Sequence, residues 1–153
     1  MTELLETIIP LDRFYREHHS LLKLCWRIRQ GQEKGIDIVR IRSYIEYMWA
    51  SSLSLHFEIE ERYVFPILGN ENELVQRALS EHRWIQKLIL SQKDYSFKTL
   101  NRIEERLERH IRFEEKNLFP EFQKLVSDEQ CELLESFYND GDEGQQWDDQ
   151  FWL

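Results

Sequence analysis

Four histidines and two glutamates carry the chemistry that this sequence can do. His56-x-x-x-Glu60 and His110-x-x-x-Glu114 each place an imidazole and a carboxylate four positions apart. On a helix that spacing is one turn plus about 40°, so each pair aims both groups at one point, as a two-toothed metal clamp. His18 and His82 contribute one imidazole each from two further segments. Six such donors suit two metal ions bridged by carboxylates. Imidazole with carboxylate favours iron, manganese or zinc over calcium or magnesium, and the absence of inward thiolate clusters argues against an iron–sulfur centre.

The elements that must position these groups are helices. Pro10 and Asp12 open an apolar series through Leu11, Phe14, Tyr15, His18, Leu21, Leu22, Cys25 and Ile28 that Gly31 closes, which predicts a first helix. After Gly35, Asp37 caps a second whose inward face reads Ile38, Ile41, Ile45, Met48, Ser52, His56, Ile59 and Tyr63, up to an interruption at Pro66. Gly69-Asn70 makes a turn, and a third helix runs from about Glu73 to Ser91 with Val75, Leu79, His82, Ile85 and Ile89 aligned. Ser96 starts a fourth through Leu100, Ile103, Leu107, His110 and Glu114 to Pro120. Ser127-x-x-Gln130 reads as a capping box for a short fifth. Long amphipathic helices with short links predict an all-α fold, an up-down-up-down four-helix bundle followed by a short helix and an acidic tail. The expected division is a metal-binding bundle over residues 1–138 and a tail over 139–153.

An internal repeat supports that architecture. At an offset of 54, Leu53-x-x-His56-x-x-x-Glu60-Glu61-x-x-x-Phe65-Pro66 overlies Leu107-x-x-His110-x-x-x-Glu114-Glu115-x-x-x-Phe119-Pro120. At an offset of 64, Glu17-His18 overlies Glu81-His82, with Leu21 on Ile85 and Lys23-Leu24 on Lys87-Leu88. The pattern predicts two αα-hairpins related by a pseudo-twofold axis, and it selects His18 over its neighbour His19, which is left to solvent.

Each residue also has a plainer reading. One histidine on an apolar face is ordinarily a satisfied core or surface residue. One inward histidine on each of four helices is different, because burying that set without metal or partners is costly. The Phe-Pro pairs read as helix stops or kinks that plug the bundle end. Tyr15 and Tyr63 read as core packing and Cys25 as an apolar filler. Arg102, Arg106, Arg109, Arg112 and Lys116 pair with Glu104, Glu105 and Glu108 as a solvated face.

Composition bounds the rest. With 20 basic and 29 acidic residues the net charge is −9, which speaks against nucleic acid as a partner, and no apolar run suits a membrane. Residues 1–124 balance 20 acids with 20 bases, so the whole excess lies beyond them: Asp128, Glu129, Glu132 and Glu135 in the short fifth helix, and Asp140, Asp142, Glu143, Asp148 and Asp149 in the tail, beside Trp147, Phe151 and Trp152. Two cysteines outside any C-x-x-C pair, and an acidic start without a signal-like run, predict a cytoplasmic protein.

In these residues the sequence resembles the haemerythrin-like, or HHE cation-binding, domains, over about residues 10–125. Their pattern is His, His-x-x-x-Glu, His, His-x-x-x-Glu on successive helices. A ferritin-like bundle would need Glu-x-x-His, and Leu53 and Leu107 stand where its glutamates belong, which excludes it. The resemblance implies two non-haem iron ions, one held by His18 and His56, the other by His82 and His110, with Glu60 and Glu114 bridging; zinc or manganese would accept the same donors. Oxygen-carrying members have a second histidine four residues after that of the third helix, where this chain has Gln86, with Leu22 at the matching place on the first. Each ion is left with two imidazoles, and simple oxygen carriage becomes doubtful. Those members also use a carboxylate five residues after the last histidine, so a π-bulge would bring in Glu115 instead of Glu114; regular geometry and the repeat favour Glu114. The expected function is binding or sensing of a small ligand such as dioxygen, nitric oxide or peroxide. The alternatives are a di-iron peroxidase or oxidase, an iron-centre repair protein without that type's extra cysteine-bearing domain, and an iron-sensing or storage module.

Overall fold

The computed structural model describes residues 2–91, 95–137 and 147–153, with side chains from Phe14 onward. Five helices and no strands form among the described residues. Helix α1 spans Thr2–Glu33. Helix α2 runs end to end through Ile38–Met48, Trp49–Leu53, Ser54–Ile59, Glu60–Val64 and Phe65–Leu68. Helix α3 is Glu73–Ile89, and α4 joins Phe97–Phe113, Glu114–Leu118 and Phe119–Leu125. Helix α5 is Asp128–Ser136. The expected caps form at Asp37, which accepts from Val39, and at Ser127, in a capping box with Gln130. Ser96 starts its helix as expected, in a capping box with Thr99, and Asn72, which the sequence reading did not single out, caps α3 by accepting from Leu74.

Three expectations about these elements are corrected. Gly31 does not end α1, because it serves as a close-approach point: a Cβ there would stand 2.8 Å from Ile41 Cδ1 and 2.8 Å from Phe151 Cε1. The positive-φ residue of the turn is Gly35, at φ 68°. Neither Phe-Pro pair stops its helix, since α2 continues to Leu68 and α4 to Leu125. Each proline instead follows a π turn, Glu60–Val64 or Glu114–Leu118, in which a backbone N–H reaches five residues back. Such a turn holds one extra residue and relieves the clash of a proline ring with the preceding turn. A further π turn at Trp49–Leu53 has no counterpart in α4. These insertions slide the inward face by one position. Leu53 and Val64 are fully buried where a regular period expected Ser52 and Tyr63; in α3, which has no such turn, Ala78 is buried and Leu79, expected inward, is half-buried beside it.

The core has two apolar layers. One contains Leu21, Leu53, Ile85 and Leu107; the other contains Phe14, Ile59, Ala78 and Phe113. On each of the four long helices the inward histidine lies between a member of one layer and a member of the other. The four imidazoles therefore occupy a polar level closed by hydrocarbon on both sides. Helix α5 seals the Phe14 layer through Leu134, and Phe137 stacks on Tyr63 at 4.4 Å.

Residues 147–153 complete the Leu21 layer. Phe151 and Trp152 are buried there, and Arg27 lies 3.9 Å over the Trp152 ring while donating to Tyr44 Oη at 2.8 Å. Lys34 donates to the Trp152 carbonyl, and Arg40 forms a two-pronged pair with Asp149. The aromatics of the acidic segment thus dock. The expected boundary at 138/139, with Asp140, Asp142 and Glu143, lies outside the described residues, as do the side chains of Pro10, Leu11 and Asp12.

Candidate metal centre

Helical spacing brings His18, His56, Glu60, His82, His110 and Glu114 together, every one of them at most 2 % exposed. They form two overlapping quartets, His18–His56–Glu60–Glu114 and Glu60–His82–His110–Glu114, and the ligand atoms within each lie within 4.8 Å of one another. Both glutamates belong to both quartets. Glu60 Oε1 stands 3.3 Å from His56 Nε2 and 3.3 Å from His82 Nε2, while Glu114 Oε1 stands 3.3 Å from His18 Nε2 and 3.2 Å from His110 Nε2. Each carboxylate therefore spans the two histidine pairs, which is the disposition a bridging group needs.

The structure places Glu114 inward and Glu115 at the rim. The turn in α4 begins at Glu114, so it leaves that residue on the inward face, fully buried, and carries Glu115 out toward the rim. The same happens at Glu60 and Glu61 in α2. Gln86 is exposed, so the position one turn after His82 does not look into this level; the buried neighbour one turn away is Ala78. Tyr15, expected in the core, is 38 % exposed and meets Phe119 edge-on at 5.7 Å. Glu104, read as part of a solvated face, is buried and accepts from Arg29 of α1 at 3.0 Å. His19 is exposed, as expected.

The donor set fits a cation on the electrostatics of this chain. His18 Nε2, His56 Nε2 and all four carboxylate oxygens of Glu60 and Glu114 are buried without making a hydrogen bond. Unsatisfied buried groups of this kind cost about 1–3 kcal/mol each, more when charged. Six converging on one level is the pattern left by a group that takes lone pairs. Burial and the facing Glu114 push the Glu60 carboxyl well above the ordinary range. Burial pushes Glu114 the same way, but His110 and His18 outweigh it and hold Glu114 well below. One proton between two carboxyls is the resulting ion-free state, and a cation would displace it.

Within the pair His82 and His110 the two rings are unequal. Burial lowers His82 to about 4. Burial acts on His110 in the same direction, yet Glu114 and Glu81 raise it to about 9. The two rings meet at 3.0 Å between Nε2 atoms, so one proton serves both. Phe57 lies flat on His82, 3.8 Å between centroids, and Phe119 stacks on His18 at 5.0 Å.

Four residues escaped the sequence reading. Every imidazole turns its Nδ1 away from the centre toward a glutamate: His56 toward Glu17 at 2.6 Å, His82 toward Glu61 at 2.9 Å, His110 toward Glu81 at 2.7 Å and His18 toward Glu115 at 3.2 Å. A signal was present, because the repeat pairs Glu17 with Glu81 and Glu61 with Glu115. Cys25 is buried with its thiol pushed up to about 12, chiefly by burial, and has no part in the set.

Comparison with known proteins adds one finding. Residues 9–122 match the family model described as Hemerythrin HHE cation binding domain. No curated protein and no solved structure gave a match. None of the helices, among the described residues, is long and apolar enough to cross a membrane.

Proposed function

The chain belongs to the Hemerythrin HHE cation binding domain family, and from that premise we propose that His18, His56, His82 and His110 hold two iron ions bridged by Glu60 and Glu114, at which a small ligand such as dioxygen, nitric oxide or peroxide binds. The observation that carries the reading is the pair of buried quartets sharing both glutamates. Four imidazoles and two carboxylates favour iron, manganese or zinc over harder cations; zinc has no redox change, and of the remaining two ferrous iron is the one suited to taking up dioxygen or nitric oxide.

The chain's own part is to hold and to exclude. Each imidazole offers Nε2 to the centre, and Glu60 and Glu114 offset positive charge where bulk water cannot. The Leu21 and Phe14 layers keep that level dry, so only a small, weakly polar ligand enters at low cost. The proposed topology is up-down-up-down, with the tail docked. Its support is that α1 and α3 pass from the Phe14 layer to the Leu21 layer while α2 and α4 pass the other way. The small ligand is the one partner proposed, in the reducing cytoplasm that suits two buried free cysteines.

Iron content and an optical spectrum test this directly. The protein reduced without air is expected to carry two iron ions per chain and to gain visible absorption on admission of air. An iron content well below two that His56→Ala leaves unchanged overturns the reading.

A further inference from the structure

The four glutamates behind the imidazoles form a closed circuit. Glu17 on α1 accepts from His56 on α2, Glu61 on α2 from His82 on α3, Glu81 on α3 from His110 on α4, and Glu115 on α4 from His18 on α1. Each long helix thus braces the next in chain order, and the last returns to the first. A carboxylate only accepts, so each Nδ1 must carry the hydrogen. With the hydrogen fixed at Nδ1, Nε2 is the nitrogen whose lone pair is left for a metal once any second proton is displaced, and in all four rings Nε2 is the atom on the side of Glu60 and Glu114.

The placement follows from the sequence by a simple device. Glu17 and Glu81 each precede a histidine, and Glu61 and Glu115 each follow a buried glutamate. A one-residue step turns a side chain by about 100° on a helix, from the centre to the rim. There the carboxylate meets the back of a ring on the neighbouring helix. These glutamates keep 34 %, 42 %, 22 % and 27 % of their side-chain surface in solvent, whereas the imidazoles keep at most 2 %. Solvated at one end and bonded at the other, each holds its negative charge cheaply. Arg77 donates to the second oxygen of Glu81 at 3.1 Å and fixes that brace from outside.

We propose that Glu17, Glu61, Glu81 and Glu115 are positioning residues that lock the four imidazoles with Nε2 toward the metals, each serving one ion: Glu17 and Glu115 the ion of His56 and His18, Glu61 and Glu81 the ion of His82 and His110. The proposal rests on the metal reading above and assigns work to residues outside the donor set. Carboxylates behind metal-bound imidazoles typically carry 10–100-fold in affinity.

The test titrates ferrous iron, without air, against a colorimetric ferrous chelator in the parent, Glu81→Ala, Glu17→Ala, Glu81→Gln and His110→Ala proteins, all checked for folding by circular dichroism. Glu81→Ala is expected to weaken one of two ions about 10–100-fold and leave the other alone, and Glu81→Gln, which keeps an acceptor, to recover much of the loss. Glu17→Ala is expected to weaken the other ion, so that Glu17→Ala with Glu81→Ala weakens both. Long-range proton–nitrogen spectra of the metal-free proteins are expected to show His110 losing its fixed Nδ1–H form in Glu81→Ala. If His110→Ala loses an ion while Glu81→Ala and Glu17→Ala bind both as the parent does, the positioning role is overturned and the metal reading stands. If His110→Ala also binds both ions unchanged, the metal reading falls and this proposal with it.

Discussion

Glu60→Gln should change stability in opposite directions with and without metal. In the metal-free protein Glu60 and Glu114 face each other at full burial and share a proton, with the Glu60 carboxyl raised by burial and by Glu114. Where pH is below the ordinary glutamate value of 4.5, so that the carboxyl is protonated folded and unfolded alike, the glutamine is nearly isosteric with the acid and the variant should match the parent. Above that value the parent must ionise a second carboxyl in the polar level or protonate at increasing cost, while the amide need do neither. A raised folded value means stability that is present below the ordinary value and lost as pH rises to the folded one, so across that window the parent should fall behind by about 1.4 kcal/mol per pH unit, a deficit that stays constant at higher pH. With ferrous iron at about 100 times its dissociation constant the parent gains about 2.7 kcal/mol for each ion bound, and the variant, lacking one bridging charge, gains much less. The assay is chemical denaturation at several pH values, with chelator and with iron under nitrogen. A variant less stable than the parent in chelator at alkaline pH, or equally stabilised by iron, refutes the reasoning.

Other outcomes follow from the same geometry. Metal-free stability should peak near neutrality: His82, held to about 4, favours the fold above its unfolded value and loses on the order of 3 kcal/mol as pH falls from 6.5 to 4, whereas His110, raised to about 9, favours it below 6.5 and loses a similar amount as pH rises through 9. Glu114 reinforces the acid loss and Glu60 the alkaline one; a flat profile between pH 4 and 10 by thermal unfolding would contradict both. Gln86→His should leave metal content and spectrum unchanged, because that position is exposed, and a new spectral species would disprove this. Phe151→Ala should cost about 3–5 kcal/mol as a buried aromatic truncation. Gly31→Ala should destabilise the parent through its 2.8 Å approaches yet stabilise the Phe151→Ala protein by up to about 1 kcal/mol, the ordinary helix preference of alanine; equal effects in both backgrounds would show that the contact is unimportant.

The donor set was legible because a repeated His-x-x-x-Glu survives translation into three dimensions by helical geometry alone. His18 and His82 were found by matching Glu17-His18 with Glu81-His82, although the role of the glutamates in those dipeptides depended on contacts between helices that no local pattern reports. The π turns were illegible for a related reason. Trp49–Leu53 has no distinguishing composition, and one extra residue in a turn is visible only when Leu53 proves buried where Ser52 was due. Gly31 misled because a glycine near a helix end has two physical uses, a left-handed cap and a bare surface, and the second depends on Phe151, far along the chain. The balance of 20 acids with 20 bases over residues 1–124 did show that cation affinity must come from placed groups, but it gave no hint that Asp149 would be spent on Arg40.

The bare surface at Gly31 also sets a timetable for synthesis. Helices α1 and α2 leave the ribosome early, with Ile41, Tyr44 and the Gly31 furrow still open, and the residues that close them follow much later; Lys34 and its partner Trp152 are 118 positions apart. At about 5–20 residues per second the nascent hairpin waits about 6–24 s with an unfinished apolar end. The acidic stretch that delivers Trp147, Phe151 and Trp152 therefore arrives long after the hairpin it closes and ends this exposure, which makes the interval before it the period in which a chaperone would have something to hold.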